Sequence, residues 1–219
     1  MADMHDIKPR WQRQPAERPG QILDAALIVF RARGFGAARM DEIARKAGIS
    51  KGTIYLYFDS KNALLEALID RAMTPVAAHL KMMADAGGQG PIAPVLRAML
   101  SFAAQRLGDP ATGAIPLLVI SEAVRFPELA QVYRTNVIDV GLGAVMALIK
   151  AGVKSGEFRP HPPEHMARLF VAPMIMQIIW NGVFIRPKET PLDAQALIAQ
   201  HIDIFLNGIL QKGAREVRT

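Results

Sequence analysis

The chain has 219 residues, is 51% hydrophobic but only 6% aromatic, and contains no cysteine. This is enough apolar material for a sizeable core, its wealth of Ala, Leu, Ile and Met favours helices over strands, and the lack of thiols excludes disulfides, thiol nucleophiles and thiolate-bound zinc. Of the formal charge of +6, residues 1–61 contribute +4, with 11 Lys/Arg against 7 Asp/Glu, a distribution suited to a polyanionic partner.

Residues 1–16 mix Pro, Gln, Arg and Asp without periodicity and read as a flexible N-terminal arm. No apolar run follows the initial charges, so no secretory signal is expected and the default compartment is the cytoplasm. A first helix opens at about Pro19, with Ile22, Leu23, Ala26, Leu27 and Phe30 on one stripe, and Gly34 ends it. A short helix spans Asp41 to Ala47. Gly48 permits a sharp turn, Ile49 fills the corner, and Ser50 caps a third helix in which Ile54 and Phe58 face inward. Ser60 caps a fourth helix from Lys61 toward Met83, with a kink expected at Pro75.

A glycine-rich break at 87–91 precedes a helix over about Ile92–Leu107. Gly108-Asp109-Pro110 reads as the start of a loop, followed by a helix from about Ile115 to Val124. Pro127 opens a long helix to about Lys154, whose interior Gly141 and Gly143 allow close packing or room for a ligand. Pro162-Pro163 starts a helix to about Phe184, and Thr190 is expected to cap a last helix ending near Leu210. The apolar run 169–185 is interrupted by Pro173, Gln177 and Asn181, which argues against a membrane span. No strand pattern or internal repeat stands out.

Helix, glycine turn, helix is the arrangement in which the second helix enters a DNA major groove and presents its N-terminal residues to base edges. Those residues are Ser50, Lys51, Gly52 and Thr53. Gly52 lets the backbone approach DNA, and Lys51 places a cation at the groove rim. The hydroxyls of Tyr55 and Tyr57 suit phosphate oxygens, and Lys61 at the next helix N-terminus favours an anion by both charge and dipole.

The string Gly34-Phe35, Ile43-Ala44, Ala47-Gly48-Ile49-Ser50-Lys51-Gly52-Thr53-Ile54-Tyr55, Tyr57-Phe58, Ser60-Lys61 and Leu64 strongly resembles the TetR family of transcriptional regulators. The resemblance covers about residues 18–65. It implies an all-α protein of about nine helices. Residues 17–62 would form a three-helix DNA-binding domain with a helix-turn-helix, and 63–219 a helical ligand-binding and dimerisation domain. Carried onto this chain, the family's DNA contacts fall on Lys51, Gly52, Thr53, Tyr55, Tyr57 and Lys61, with Ser50 as the cap. The chain departs from the family at Ala38-Arg39, where two Thr or Ser residues are common. The capping hydroxyl is lost, and Arg39 is the substitute phosphate contact. The segment Glu122–Leu129 looks like one found in an AcrR-like or AefR-like C-terminal subset.

The resemblance implies a homodimer on a palindromic operator, with the last two long helices forming a four-helix bundle with a second copy. Leu169, Val171, Met174, Ile175 and Ile178 put apolar groups on more sides of the first of these than one internal face needs. An effector cavity would be lined by Met99, Phe102, Met146, Met174, Gln177 and Trp180, and would suit a small apolar or aromatic molecule. The leading expectation is a repressor released from DNA by that effector. The alternatives are an activator, a factor needing no ligand, or, remotely, an enzyme carrying a helix-turn-helix. No Ser-His-Asp order, carboxylate pair or phosphate-binding glycine loop is evident, so no enzymatic activity and no cofactor are expected. His161 and His165 read as solvated histidines rather than metal ligands.

Overall fold

The computed structural model describes residues 17–87 and 90–211. The expected arm at 1–16 lies outside them. The described residues form eleven α segments: α1 (Arg18–Arg33), α2 (Met40–Lys46), α3 (Lys51–Tyr55), α4 (Lys61–Ala72), α5 (Thr74–Gly87), α6 (Ile92–Gly108), α7 (Pro110–Glu122), α8 (Pro127–Tyr133), α9 (Asp139–Ser155), α10 (Pro163–Ile179) and α11 (Ala194–Ile209). A π-helical turn, Arg134–Ile138, fuses α8 and α9 into one rod, and a second, Trp180–Phe184, extends α10. With α4 and α5 taken as one bent rod, the helices number nine. Among the described residues the only β feature is an isolated antiparallel bridge between Phe158 and Leu210.

Two apolar cores are stacked along the molecule. The first gathers α1 to α4 around Ile22, Phe30, Phe35, Ile43, Ile54, Leu64 and Leu68, and also takes Ile115, Leu118 and Val119 of α7 with Leu129 and Tyr133 of α8. The second is built from α6, α9, α10 and α11 around Leu96, Leu148, Phe170, Ile202 and Leu206. Helix α7 is apolar on nearly every side because it packs against both α4 and α6.

Several expected boundaries move, each for a capping reason. The rod from Lys61 breaks at Met73 rather than kinking at Pro75. Thr74 restarts it, and Pro75 falls in the first turn of α5, where its missing N–H costs little. There is no loop after Gly108: Asp109 Oδ1 accepts from Ala111 N (3.1 Å) and Thr112 N (2.9 Å), so α7 opens directly at Pro110. The last helix is capped by Asp193, not Thr190. Asp193 Oδ1 accepts from Gln195 N and Ala196 N, and the carboxylate next to the first turn displaces the start past Pro191. The N-terminus of α6 is capped from a distance, with Glu157 accepting from Ile92 N (2.7 Å) and Ala93 N (2.8 Å). Phe158 then seats on Gly152, where any Cβ would overlap its ring. This strap leaves His161 half-buried, with Nε2 shielded and unpartnered among the described residues, not solvated as expected.

Candidate functional site

Helix α3 is positioned by local signals read directly from the sequence. Gly48 adopts φ +69, a left-handed turn conformation that L side chains rarely occupy. Ser50 sits in extended backbone, and its Oγ accepts from Thr53 N at 3.1 Å. Ile54 is fully buried and Phe58 packs against the same core, so the helix is anchored from beneath. Its outer side then presents Ser50, Lys51, Gly52, Tyr55 and Tyr57 to solvent, with Thr53 half-buried. The Thr53 hydroxyl lies 2.7 Å from Ser50 Oγ, which orients it at the start of the helix. Leu56, 82% exposed, extends the same surface; sequence reasoning misses it because its apolar character reads as core.

Arg39 is the N-cap residue of α2 and offers no side-chain cap. Its guanidinium is exposed and pairs with Asp41 at 3.3 Å, while Ala38 beside it is buried in the first core. Lys61 departs from expectation. Its Nζ folds back onto the α1–α2 loop and donates to Phe35 O (2.8 Å) and Gly36 O (2.9 Å), 5.0 Å from the Phe35 ring centroid. Burial lowers its pKa, and the Glu122 carboxylate partly offsets that effect. The ammonium expected at a phosphate therefore holds the α1–α2 loop. The first turn of α4 is served by Ser60 Oγ, which accepts from Ala63 N.

Two cavities lie beyond this head. The inner one, about 350 Å³, is bordered by α5, α6, α7, the α8–α9 rod and α10, and almost all of its lining is apolar. The expected Met99 and Met174 line it. So do Ile120 of α7 and Ala123 just beyond it, together with Tyr133 and Gly141. Burial pushes the Tyr133 phenol above its ordinary pKa, so the cavity carries no charge there. An added Cβ at Gly141 would meet nothing within 4 Å, so this interior glycine marks open space. The outer cleft, about 640 Å³, runs between α1, α7, α10 and α11. It is lined by Arg31, Gln177 and Asn181, and shares Leu107 and Met174 with the inner cavity.

Three expected lining residues face elsewhere. Phe102 packs at a tilt against His79 with ring centroids 4.4 Å apart, and Met146 packs against the second core. Trp180 is 44% exposed and lies against Phe184. Apolar character assigns all three to the interior, but only the relative rotation of the packed helices decides which apolar face meets a void. The outward faces of α10 and α11 and the turn beyond α10 expose Leu169, Met176, Trp180, Val183, Phe184 and Ile204. Of the residues expected on a shared face, only Leu169 points outward here. Val171, Met174 and Ile175 line the inner cavity, and Ile178 the outer cleft.

Residues 22–68 match the family model for bacterial regulatory proteins of the tetR family, and residues 88–190 match that of a tetracyclin repressor-like C-terminal domain. The chain is 24% identical over 197 residues to the uncharacterized HTH-type transcriptional regulator YfiR of Bacillus subtilis, covering 89% of this chain and 93% of that protein. Among solved structures, the ketosteroid transcriptional regulator KstR2 of Mycobacterium tuberculosis superposes with a TM-score of 0.70 at 23% identity, covering 93% of this chain and 100% of its own. The regulator FadR of Bacillus subtilis, solved in complex with stearoyl-CoA, superposes with a TM-score of 0.65 at 20% identity over 87% of this chain and 98% of its own.

Proposed function

This chain belongs to the TetR family of DNA-binding transcriptional regulators, and on that footing we propose that it acts as a homodimeric repressor released from a palindromic operator by a small apolar effector. The observation that carries the reading is the anchored, outward-facing α3, with a largely apolar cavity behind it. In this reading Gly52 and Thr53 approach base edges, and Ser50 sets the start of the helix. Lys51, Tyr55, Tyr57 and Arg39 contact the backbone, Arg39 by exchanging Asp41 for a phosphate. Two copies joined through the exposed faces of α10 and α11 would set two such helices about one turn of DNA apart, ~34–36 Å. The apolar residues on those faces support a shared bundle, since exposed patches of this kind mark interaction sites.

The effector proposed here is a hydrophobic molecule seated in the inner cavity against Met99, Met174 and Gly141, with Gln177 in the neighbouring cleft. The stearoyl-CoA complex of one structural relative supports a ligand whose acyl chain is apolar, although its CoA group is charged. Binding shifts DNA affinity only to the extent that the ligand prefers one of two protein states. No catalytic role is assigned to any residue, and the protein acts where its DNA lies, in the cytoplasm. The test is selection of bound duplexes from random DNA, followed by titration of the selected site against salt. A palindromic consensus with salt-sensitive affinity is expected, and the lack of any sequence-selective binding would sink the proposal.

A further inference from the structure

Glu122 is a carboxylate that stability alone would not select. It is the last residue of α7, where the helix dipole opposes negative charge, and it is 8% exposed. Its Oε1 accepts from Phe35 N at 3.0 Å, but its Oε2 is buried with no hydrogen-bond partner among the described residues. A buried carboxyl oxygen without a hydrogen-bond partner costs free energy that an apolar side chain of similar shape would avoid. Its surroundings indicate what it does.

The loop it grips, Gly34 to Gly36, joins α1 to α2. That loop is held from both domains at once. Lys61 of α4 donates to the carbonyls of Phe35 and Gly36, and Phe126 packs edge-on against Phe35 at 5.0 Å. Glu122 fits so closely that a Cβ at Gly34 would lie 3.0 Å from Oε1. The same turn of α7 supplies Ile120, on the far side of the helix from Glu122, to the inner cavity wall, with Val119 and the C-cap residue Ala123 flanking it. A shift of that wall by roughly 1 Å would carry a 3.0 Å hydrogen bond beyond useful range.

We propose that Glu122 is the residue that couples the inner cavity to the reading head: filling the cavity displaces α7, releases Phe35 N, and frees the α1–α2 loop on which α2 and α3 are set. The proposal rests on the reading of the inner cavity as the effector site. Glu122 touches neither DNA nor effector; it positions the loop that positions α3.

The test uses Gly141→Phe as a built-in occupant, at a lining position of α9 where an added Cβ would meet nothing within 4 Å. DNA affinity is measured by fluorescence anisotropy on a duplex selected by the wild-type chain, for Gly141→Phe, Glu122→Ala, the double variant, and Gly141→Phe with Glu122→Gln. Gly141→Phe is expected to weaken binding about tenfold in the otherwise wild-type chain. In the Glu122→Ala background the same change should alter binding by less than about twofold. Glu122→Gln, which keeps an acceptor for Phe35 N, should restore the response. Equal responses with and without Glu122 overturn the coupling role and leave the cavity reading intact. A filler that leaves DNA binding unchanged in the wild-type background overturns both. Should Glu122→Ala fail to fold, amide exchange decides: Phe35 N–H must exchange faster in Gly141→Phe than in wild type, and equal exchange overturns the proposal.

Discussion

Replacing Lys61 by methionine separates two roles that the sequence alone assigns to one side chain. The substitution keeps most of the apolar stem but removes the ammonium and its bonds to Phe35 O and Gly36 O at 2.8 and 2.9 Å. Charged hydrogen bonds contribute about 1.5–3 kcal/mol each when buried. Lys61 is only partly buried, and the uncharged thioether is spared the desolvation cost of the ammonium, so the net loss should be about 1–2 kcal/mol. For a chain of this size that lowers the melting temperature by about 2–8 °C. A phosphate contact would behave differently, with each one contributing about 0.9 to the slope of log affinity against log salt. With Nζ committed to two carbonyls, the slope should change by far less than that. Circular dichroism melting reads the first quantity, and anisotropy titration at several salt concentrations reads the second. A slope reduced by about 0.9 with an unchanged melting temperature would refute the reasoning and return the ammonium to the DNA.

Changing Thr53 to alanine should alter the bases preferred in a random-DNA selection while leaving the salt slope intact; an identical consensus would remove Thr53 from base readout. Asp109 caps α7, and hydrogen bonds from Thr112 and Ala111 hold its carboxyl below the ordinary value of 3.8. A depressed carboxylate pKa stabilises the fold above the unfolded value and loses that contribution as pH falls through the folded one. Asp109→Ala should therefore melt below wild type at neutral pH, and the two curves should converge as the pH falls from 3.8 through the lower folded value; a gap that persists undiminished in acid would refute the cap's charge dependence. Ile204→Glu places a charge on a residue that is 73% exposed in one copy. Burying one in each copy of the proposed bundle should cost about 3 kcal/mol apiece, about 6 kcal/mol in all and on the order of ten-thousandfold in dimer dissociation, read by sedimentation equilibrium. An intact dimer in both Ile204→Glu and Trp180→Glu would move the interface elsewhere.

The legible part of the chain is the part whose causes lie within a few residues. Gly48 with positive φ, Ser50 accepting from Thr53 N, and Ile54 beneath them lie within six positions of one another, so each acts on its neighbours through the chain itself. The same logic places α1, α6 and α10. Where expectations move, at Met73, Asp109 and Asp193, two local caps or breaks compete within a few residues, and a carboxylate or a backbone bend prevails over its neighbour. The cavity lining is legible only in part. Met99, Met174 and Gln177 do border the voids, while Phe102, Met146 and Trp180 share their apolar character and face elsewhere.

By itself the sequence determined the helical class and the turn-and-helix reading head, because hydrophobic periodicity, glycine torsions and caps act over one or two turns, and the residue string from Gly34 to Leu64 carried the family resemblance. The tertiary structure decided what could be set only by distant contact. Glu122 reaches Phe35 across 87 positions and Lys61 reaches it across 26, so neither partner can be inferred from spacing. Which helix face meets a void and which meets solvent depends on how the rods rotate against one another. That rotation follows from the summed packing of two cores, and no local stretch of chain encodes it.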